Sequence, residues 1–202
     1  MESKKFSTKQ FVEMALLTAV ILLLAFTPLG YIRTFGLEIT LIVVPVTVGA
    51  VTLGPAAGAV LGAVFGITSF IQCFGMSPFG AVLLSINPAA TFIVCIVSRI
   101  LMGWLTGMIY QGLKNIQQIK KAALVITNLI GPLLNTFFFM STLLLFFYHT
   151  EYISGLAKSM GASNVFAFVA AFVGVNGVIE AAACFILGSA ISRALQAALK
   201  SQ

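Results

Sequence analysis

Apolar residues fill most of the chain in six long blocks, separated by short segments rich in proline, glycine and polar side chains. A membrane-spanning helix needs about 20 consecutive apolar residues, and most of these blocks approach that length. The pattern predicts an all-α membrane protein, a six-transmembrane-helix bundle whose second helix is short and interrupted by Pro45. The predicted helices cover residues 11–29, 39–53, 56–74, 89–110, 122–148 and 164–191, within a single integral membrane domain over residues 1–202.

The connecting segments differ between the two ends of the predicted bundle. Segments 30–38, 75–88 and 149–163 are irregular, and six spans put all three on the side opposite the termini. Eight Lys and Arg residues lie on the side of the termini and two lie on the opposite side. Cytoplasmic segments of membrane proteins carry an excess of Lys and Arg, so both termini are predicted to be cytoplasmic. The three irregular segments would then form the outer mouth of a binding site.

The composition excludes several function classes. With 60% apolar and 8% charged residues, the chain has no room for a soluble catalytic or nucleotide-binding domain. The net charge of +6 does not predict nucleic-acid binding, because the basic residues form no stripe with interleaved aromatic residues. The absence of Asp and the presence of one His exclude a Ser-His-Asp triad and a histidine metal cluster, so no catalytic residue, metal or cofactor is predicted. The three isolated cysteines are interpreted as small apolar packing residues.

Small residues recur at four-residue spacing in two of the predicted helices. Four glycines, at positions 54, 58, 62 and 66, recur every four residues and form a stripe that leads into and along the third helix. Such a stripe lets a neighbouring backbone approach closely, so it predicts tight helix packing. Ala15 and Ala19 form a weaker version of this pattern in the first helix, and their neighbour is either another helix of this chain or another membrane protein.

Five polar side chains inside the apolar blocks are candidates for ligand binding. Arg99 is the most costly of them, because a charged side chain at the centre of a span costs about 2.5–3.5 kcal/mol on insertion scales. A guanidinium can clamp a carboxylate or phosphate, although a structural ion pair or a side chain reaching the interface would also explain it. Asn128 and Asn135 share one face of the fifth helix, and Asn176 and Glu180 share one face of the sixth. These pairs predict either a polar cavity lining or hydrogen bonds between helices.

Several short segments together resemble the S component, the substrate-binding subunit, of energy-coupling factor (ECF) vitamin transporters. The similarity extends over nearly the whole chain. The segments that carry it are FTPLGY at 26–31, TLIVVPV at 40–46, LGPAAG at 53–58, SRILMG at 98–103, Asn135-Thr136, the spaced pair Asn176 and Glu180, and Ala15-x-x-x-Ala19.

The resemblance implies a multi-pass protein of the bacterial plasma membrane that captures a water-soluble vitamin from outside. It further implies that the chain is not an enzyme, because a membrane coupling subunit and two cytoplasmic ATPases would supply ATP hydrolysis. Ala15 and Ala19 would face the coupling subunit. The ligand would lie among the outer loops and the outer halves of helices four to six. The residues expected to bind it are Arg99, Asn135, Asn176, Glu180, Asn128, Arg33 and Tyr31.

The identity of the vitamin follows less directly from the residues. Arg99 and Arg33 favour an anionic ligand, and a small site lined by amides suits pantothenate, which has one carboxylate, two hydroxyls and one amide. Riboflavin or another B vitamin is the alternative, since 18 phenylalanines could supply stacking surfaces. Two hypotheses from other functional classes are also considered: a membrane scaffold without a ligand, and a proton-coupled carrier that works alone.

Overall fold

A computed structural model describes residues 7–27, 30–33, 38–120 and 122–200 of the chain. The side chains at positions 31–33, 38, 39, 175, 176 and 195–200 lie outside the described part.

Helices dominate the fold, and the all-helical class is confirmed with the addition of one small hairpin. Strands β1 (Tyr31–Arg33) and β2 (Glu38–Thr40) pair antiparallel, with Ile32 opposite Ile39. The helices are α1 (Thr8–Phe26), α2 (Val43–Leu53), α3 (Pro55–Gln72), α4 (Pro78–Ile86), α5 (Pro88–Phe92), α6 (Ser98–Asn115), α7 (Ala123–Phe147), α8 (Glu151–Ser159), α9 (Val165–Ala183) and α10 (Ser189–Lys200). Two π-helical turns, Ile93–Val97 and Cys184–Gly188, join α5 to α6 and α9 to α10.

Within the described residues, five helical segments are long and apolar enough to cross a membrane. The second predicted helix is the exception, because α2 has 11 residues and at 1.5 Å per residue extends only about 16 Å. The count of six spans and the cytoplasmic termini therefore stay predictions. The five long segments are Thr8–Phe26, Pro55–Gln72, Pro88–Asn115, Ala123–Phe147 and Gly177–Ala194.

The start of the second predicted helix at residue 39 is wrong. Residues Glu38–Thr40 form β2 and pair with β1, so the helix begins only at Val43. The apolar pattern of this stretch is compatible with either structure, because a short run of β-branched residues suits a strand as well as a buried helix. The pairing partner in the preceding loop decides between them.

The interpretation of residues 75–88 as an irregular segment is also wrong, because it contains α4. The Ser77 side chain accepts a hydrogen bond from the backbone N–H of Gly80, and Pro78 occupies the first turn. Asn87 and Pro88 repeat this arrangement at the start of α5. A polar cap followed by proline is a helix-start signal, so the turn residues marked the beginnings of helices rather than a loop.

The last two predicted segments show similar local departures. Segment 149–163 contains α8, which begins after Thr150, whose hydroxyl accepts a hydrogen bond from the N–H of Ile153. The sixth predicted helix, 164–191, is broken at Gly174, where φ is +29° and ψ is −129°. A residue with a Cβ would be strained in that conformation, so the break depends on glycine. The helical chain then continues as far as Lys200.

Close packing of α3 against α6 confirms the role predicted for the glycine stripe. A Cβ on Gly58 would collide with the carbonyl oxygen of Gly103, and one on Gly62 would collide with the carbonyl of Arg99. The two backbones are therefore in direct contact along several turns. This contact holds the Arg99 segment of α6 at a defined height beside α3.

The buried apolar side chains form two main clusters, with polar residues between them. The first cluster joins α1, α2, α3 and α6 and includes Ile21, Phe65 and Met102. The second lies where α4 and α8 pack on α7 and α9, and it includes Leu143 and Phe168. We refer to the end of the bundle that carries α4, α8 and the β1–β2 hairpin as the capped end.

Candidate functional site

A cavity of about 500 Å³ lies at the capped end, lined in part by apolar residues of the second cluster such as Leu83 and Phe172. This is within the range of typical small-molecule sites, about 300–1,000 Å³. Side chains of α3, α6, α7 and α9 form its walls, and residues of α4 and α8 close over it. Thr40, at the end of the hairpin, also borders the cavity. Elements far apart in sequence therefore meet around one cavity.

Arg99 supplies the positive charge of this cavity. It is 8% exposed, and its guanidinium carbon lies 5.3 Å from the centre of the Phe65 ring and 4.9 Å from that of Phe139. Nη1 donates hydrogen bonds to the carbonyl of Val94 at 2.5 Å and to the hydroxyl of Ser98 at 2.9 Å. Aromatic faces stabilise a cation, and these two hydrogen bonds fix the orientation of the guanidinium.

Glu180 and Asn135 form a hydrogen-bonded pair on another wall. Asn135 Nδ2 donates to Glu180 Oε1 at 3.2 Å, which links α7 to α9. The backbone N–H of Thr40 donates to the same carboxylate, so the hairpin is held against α9. Both side chains are 8% exposed and border the cavity. The carboxylate is thus oriented by two donors from two different elements.

Two polar atoms of the cavity residues are buried without a hydrogen-bond partner. They are Nε of Arg99, a donor, and Oδ1 of Asn135, an acceptor. Both side chains lie in the described part of the chain. Within that part, Arg99 forms no direct ion pair with Glu180. A buried polar atom without a partner costs about 1–3 kcal/mol, so such atoms call for an explanation. A ligand that accepts from Arg99 and donates to Asn135 would satisfy both.

The remaining lining combines polar and aromatic side chains. Gln72 is 6% exposed, and its Nε2 donates to the carbonyl of Ala25 at 2.5 Å, which ties the ends of α3 and α1 together. The Phe79 ring lies 5.6 Å from that of Phe172 and 6.0 Å from that of Tyr152, so it bridges α4, α9 and α8. The polar lining also includes Ser69, Cys73, Ser77, Cys95 and Thr136.

The structure brings together three of the residues predicted to bind ligand: Arg99, Asn135 and Glu180. Asn128 does not border the cavity. It is fully buried two turns away on α7, its Nδ2 donates to the carbonyl of Leu124, and its Oδ1 faces Gly188. Asn128 is therefore a helix-packing residue.

The other predicted residues fall into two groups. Asn176 lies in α9, and Tyr31 and Arg33 lie in β1, but their side chains are outside the described part. Ala15 and Ala19 lie on the exposed surface of α1, whereas Leu17 and Ile21 of the same helix are buried. The alanine pair therefore lies at the surface of the described part of the chain and outside its apolar core.

Several cavity residues were missed by the sequence analysis. Phe79 and Tyr152 lie in segments that were interpreted as loops, and Phe139 was one of many phenylalanines in apolar helices. Cys73 and Cys95 were assigned to packing, yet both border the cavity. A signal existed for the first two, since the capping residues Ser77 and Thr150 mark short helices that could place an aromatic ring.

Comparison with known families agrees with this architecture. The family model described as ECF transporter, substrate-specific component, matches residues 9–192, which is most of the chain. The chain belongs to this family. No curated protein matches the chain.

Membership in the ECF substrate-specific components defines the role of the chain at a coarse level. It is the substrate-specific subunit of an ECF transporter, a transport subunit rather than an enzyme. The family implies association with ECF coupling and ATPase components, and its apolar helices agree with an integral membrane protein. In a substrate-specific component, the cavity beside Arg99 is the candidate substrate site.

Proposed function

We propose that this ECF substrate-specific component captures pantothenate with high affinity at the outer face of the bacterial plasma membrane. One observation carries the proposal: Arg99 and Asn135 border the same cavity, and each has a buried polar atom without a hydrogen-bond partner, the donor Nε of Arg99 and the acceptor Oδ1 of Asn135. The ligand they suit has an anionic group at one position and a hydrogen-bond donor at another.

The chemistry of pantothenate matches this division of the cavity. Its carboxylate suits the guanidinium of Arg99, because a charge-assisted hydrogen bond is roughly twice as strong as a neutral one. Its hydroxyls and its amide N–H can donate to Asn135 Oδ1 and to the Glu180 carboxylate, while Gln72 and Thr136 offer further polar contacts. The segment TPLGYI at 27–32 supports the same assignment, because it resembles S components of the pantothenate type more than those of the riboflavin type.

The proposed entry of the ligand from outside rests on the charge distribution. The capped end lies opposite Thr8, where α1 begins, and opposite the C-terminal end of α6 and the connector after it, where Lys114 and Lys120 lie. If the basic side is cytoplasmic, the cavity opens outwards and Ala15, near the start of α1, lies towards the cytoplasm. A C-terminal fluorescent-protein fusion should then fluoresce, whereas a C-terminal alkaline phosphatase fusion should be inactive. An active phosphatase would contradict this orientation.

Riboflavin is the second candidate, and the aromatic lining favours it. The rings of Phe79, Phe139, Tyr152 and Phe172 all border the cavity and could stack on a flat ring system. Against it, a neutral ring ligand would leave the positive charge of Arg99 without an anionic partner. The two vitamins therefore differ in whether they supply an anionic partner for Arg99.

Calorimetric titration of the purified chain in lipid nanodiscs tests the proposal. Pantothenate should bind with nanomolar affinity, and riboflavin and other B vitamins should bind at least 100-fold more weakly. Calorimetry is preferable to tryptophan fluorescence, because Trp104 lies on the surface and does not border the cavity. Tight riboflavin binding would transfer the assignment to the second candidate.

Uptake assays separate the remaining classes of protein. A substrate-specific component should support vitamin uptake only in cells that also contain the ECF coupling subunit and ATPases. A solo carrier would transport in proteoliposomes that lack any ATPase. A scaffold would bind none of the vitamins in the calorimeter.

A further inference from the structure

Two of the three cysteines form a close pair on the wall of the cavity. Cys73 follows α3 directly and Cys95 lies in the π-helical turn before α6, 22 positions further along the chain. Their sulfur atoms are 3.8 Å apart, the residues are 5% and 7% exposed, and both border the cavity. Cys184 is fully buried in the first apolar cluster and does not border it.

Each thiol is linked to a part of the structure that shapes the candidate site. Cys73 donates to the carbonyl of Ser69 at 3.4 Å, and a Cβ on Gly80 of α4 would lie 2.6 Å from its sulfur. Cys95 is adjacent to Val94, whose carbonyl anchors the guanidinium of Arg99. A change at the thiol pair would therefore act on both the cap helix α4 and the orientation of Arg99.

The distance between the thiols is compatible with disulfide formation after a small movement. A disulfide requires about 2.05 Å between the sulfurs, so the present 3.8 Å must shorten by about 1.75 Å. Each hydrogen bond of a π-helical turn spans one residue more than a hydrogen bond of an α-helix, and such turns occur frequently at functional sites. Local tightening of this turn would bring the sulfur of Cys95 towards Cys73.

We propose that Cys73 and Cys95 form a peroxide-sensitive thiol pair whose reversible disulfide weakens ligand capture in the adjacent cavity. A peroxide first oxidises one thiol to a sulfenic acid and is reduced to one molecule of water (an alcohol for an organic peroxide). The second thiol then attacks the sulfenic sulfur, the S–S bond forms, and a molecule of water leaves. Overall the two thiols lose two electrons and two protons to the peroxide. An added dithiol reverses the reaction by thiol–disulfide exchange.

The effect on binding rests on the proposed function, whereas the formation of the disulfide does not. A bound ligand would cover the two sulfurs and protect them from oxidation. Conversely, the disulfide would shift the wall that carries Val94 and the cap helix that packs on Cys73. The disulfide and the ligand should therefore oppose each other.

Mass spectrometry of the full chain in nanodiscs tests the disulfide without any ligand. Hydrogen peroxide should lower the mass by two hydrogens and yield a peptide that joins Cys73 to Cys95, and dithiothreitol should reverse both. The joined peptide should be absent from C73S and C95S and should persist in C184S. Oxidation of isolated cysteines to sulfinic acid without a joined peptide would overturn the proposal, as would loss of the joined peptide in C184S.

Calorimetry before and after oxidation tests the effect on capture. Pantothenate affinity should fall at least tenfold in the oxidised wild type and return after dithiothreitol, while C95A should keep its affinity on peroxide treatment. If the disulfide forms without any change in pantothenate affinity, the proposed control of ligand capture is overturned. If the joined peptide forms but no vitamin binds the reduced protein, the assignment of pantothenate fails and the thiol chemistry stands. In that case the thiol pair does not regulate the capture of pantothenate.

Discussion

Arg99 combines features that rarely occur together in a residue of an apolar helix. It is buried, its charge lies between two aromatic rings, and two of its hydrogen bonds go to its own helical segment. None of these contacts supplies a negative charge. Glu180 borders the same cavity and interacts electrostatically with Arg99, but it forms no direct ion pair with it. A buried charge without a direct ionic partner is costly, so a ligand anion would compensate this burial.

Replacing Arg99 should weaken anion binding more than it weakens the fold. We expect R99Q to lower pantothenate affinity about 10- to 100-fold, because hydrogen bonds to charged groups contribute about 1.5–3 kcal/mol. R99K should recover only part of the loss, since an ammonium lacks the planar fork of donors. Calorimetry on R99Q, R99K and the control R193Q, which changes an exposed arginine of α10, provides the measurement. Equal affinity of R99Q and wild type would contradict the role of Arg99.

Asn135 and Asn128 offer a matched pair on α7, seven residues apart. Asn135 borders the cavity and Asn128 does not, although both are buried amides. N135A should reduce ligand affinity about tenfold, because it removes one acceptor for the ligand and one donor to Glu180. N128A should leave affinity unchanged and affect thermal stability only. A larger loss of affinity in N128A than in N135A would refute this placement of the site.

At the scale of elements, the contact of α3 with α6 is the most demanding part of the fold. Gly58 and Gly103 approach each other so closely that neither position has room for a Cβ. The short helices α4 and α8 place further demands on local sequence, since each begins at a side chain that caps its first turn. These helices carry Phe79 and Tyr152 to the cavity, so local capping has a direct effect on the lining.

Two glycines of α6 test the importance of the close contact. G103A should destabilise the protein by about 1–3 kcal/mol, the usual cost of overpacking, because the methyl group would meet the backbone of Gly58. G112A in the same helix has nothing within 4 Å of the new Cβ and should be neutral or slightly stabilising. Thermal unfolding in the same detergent compares the two. Similar melting temperatures for both variants would show that α3 and α6 can separate at little cost.

At the scale of the whole molecule, one face of α1 is exposed in the part of the chain that the structure describes. Leu17, Ile21 and Ala25 pack into the core, while Ala15 and Ala19 lie on the surface. Small residues at four-residue spacing permit close approach of another helix. Because the family implies association with a coupling component, this face is the surface that we expect that component to contact.

Enlarging the alanine pair should block assembly without affecting ligand binding. We expect A15L/A19L to reduce copurification with the coupling component at least tenfold, since two bulky side chains would hold the partner helix away. The control A171L makes the same change at an exposed position of α9, which packs on other elements. Calorimetry should show wild-type vitamin affinity for both variants. Undiminished copurification of the double variant would exclude this face as the contact.

The sequence by itself determined the membrane class, the approximate helical segments, the glycine contact and three polar residues that border the cavity. These features follow from local properties: long apolar runs, small residues at helical spacing, and rare polar groups such as Arg99 and Glu180 where a polar group is costly. The start of α2 was less predictable, because its apolar residues also suit a strand. Its boundary depended on pairing between β1 and β2.

Only the tertiary structure decided which polar groups share a cavity. Asn128 and Asn135 are equivalent in sequence pattern, and the packing of α7 against its neighbours separates them. Cys73 and Cys95 have no sequence relationship, yet the contact of α3 with the π-helical turn brings their sulfur atoms within 3.8 Å. Side chains distant in sequence meet only when helices pack, and packing depends on the shapes of all the helices at once. The periodicity of one helix therefore shows which face is polar, but not what that face meets.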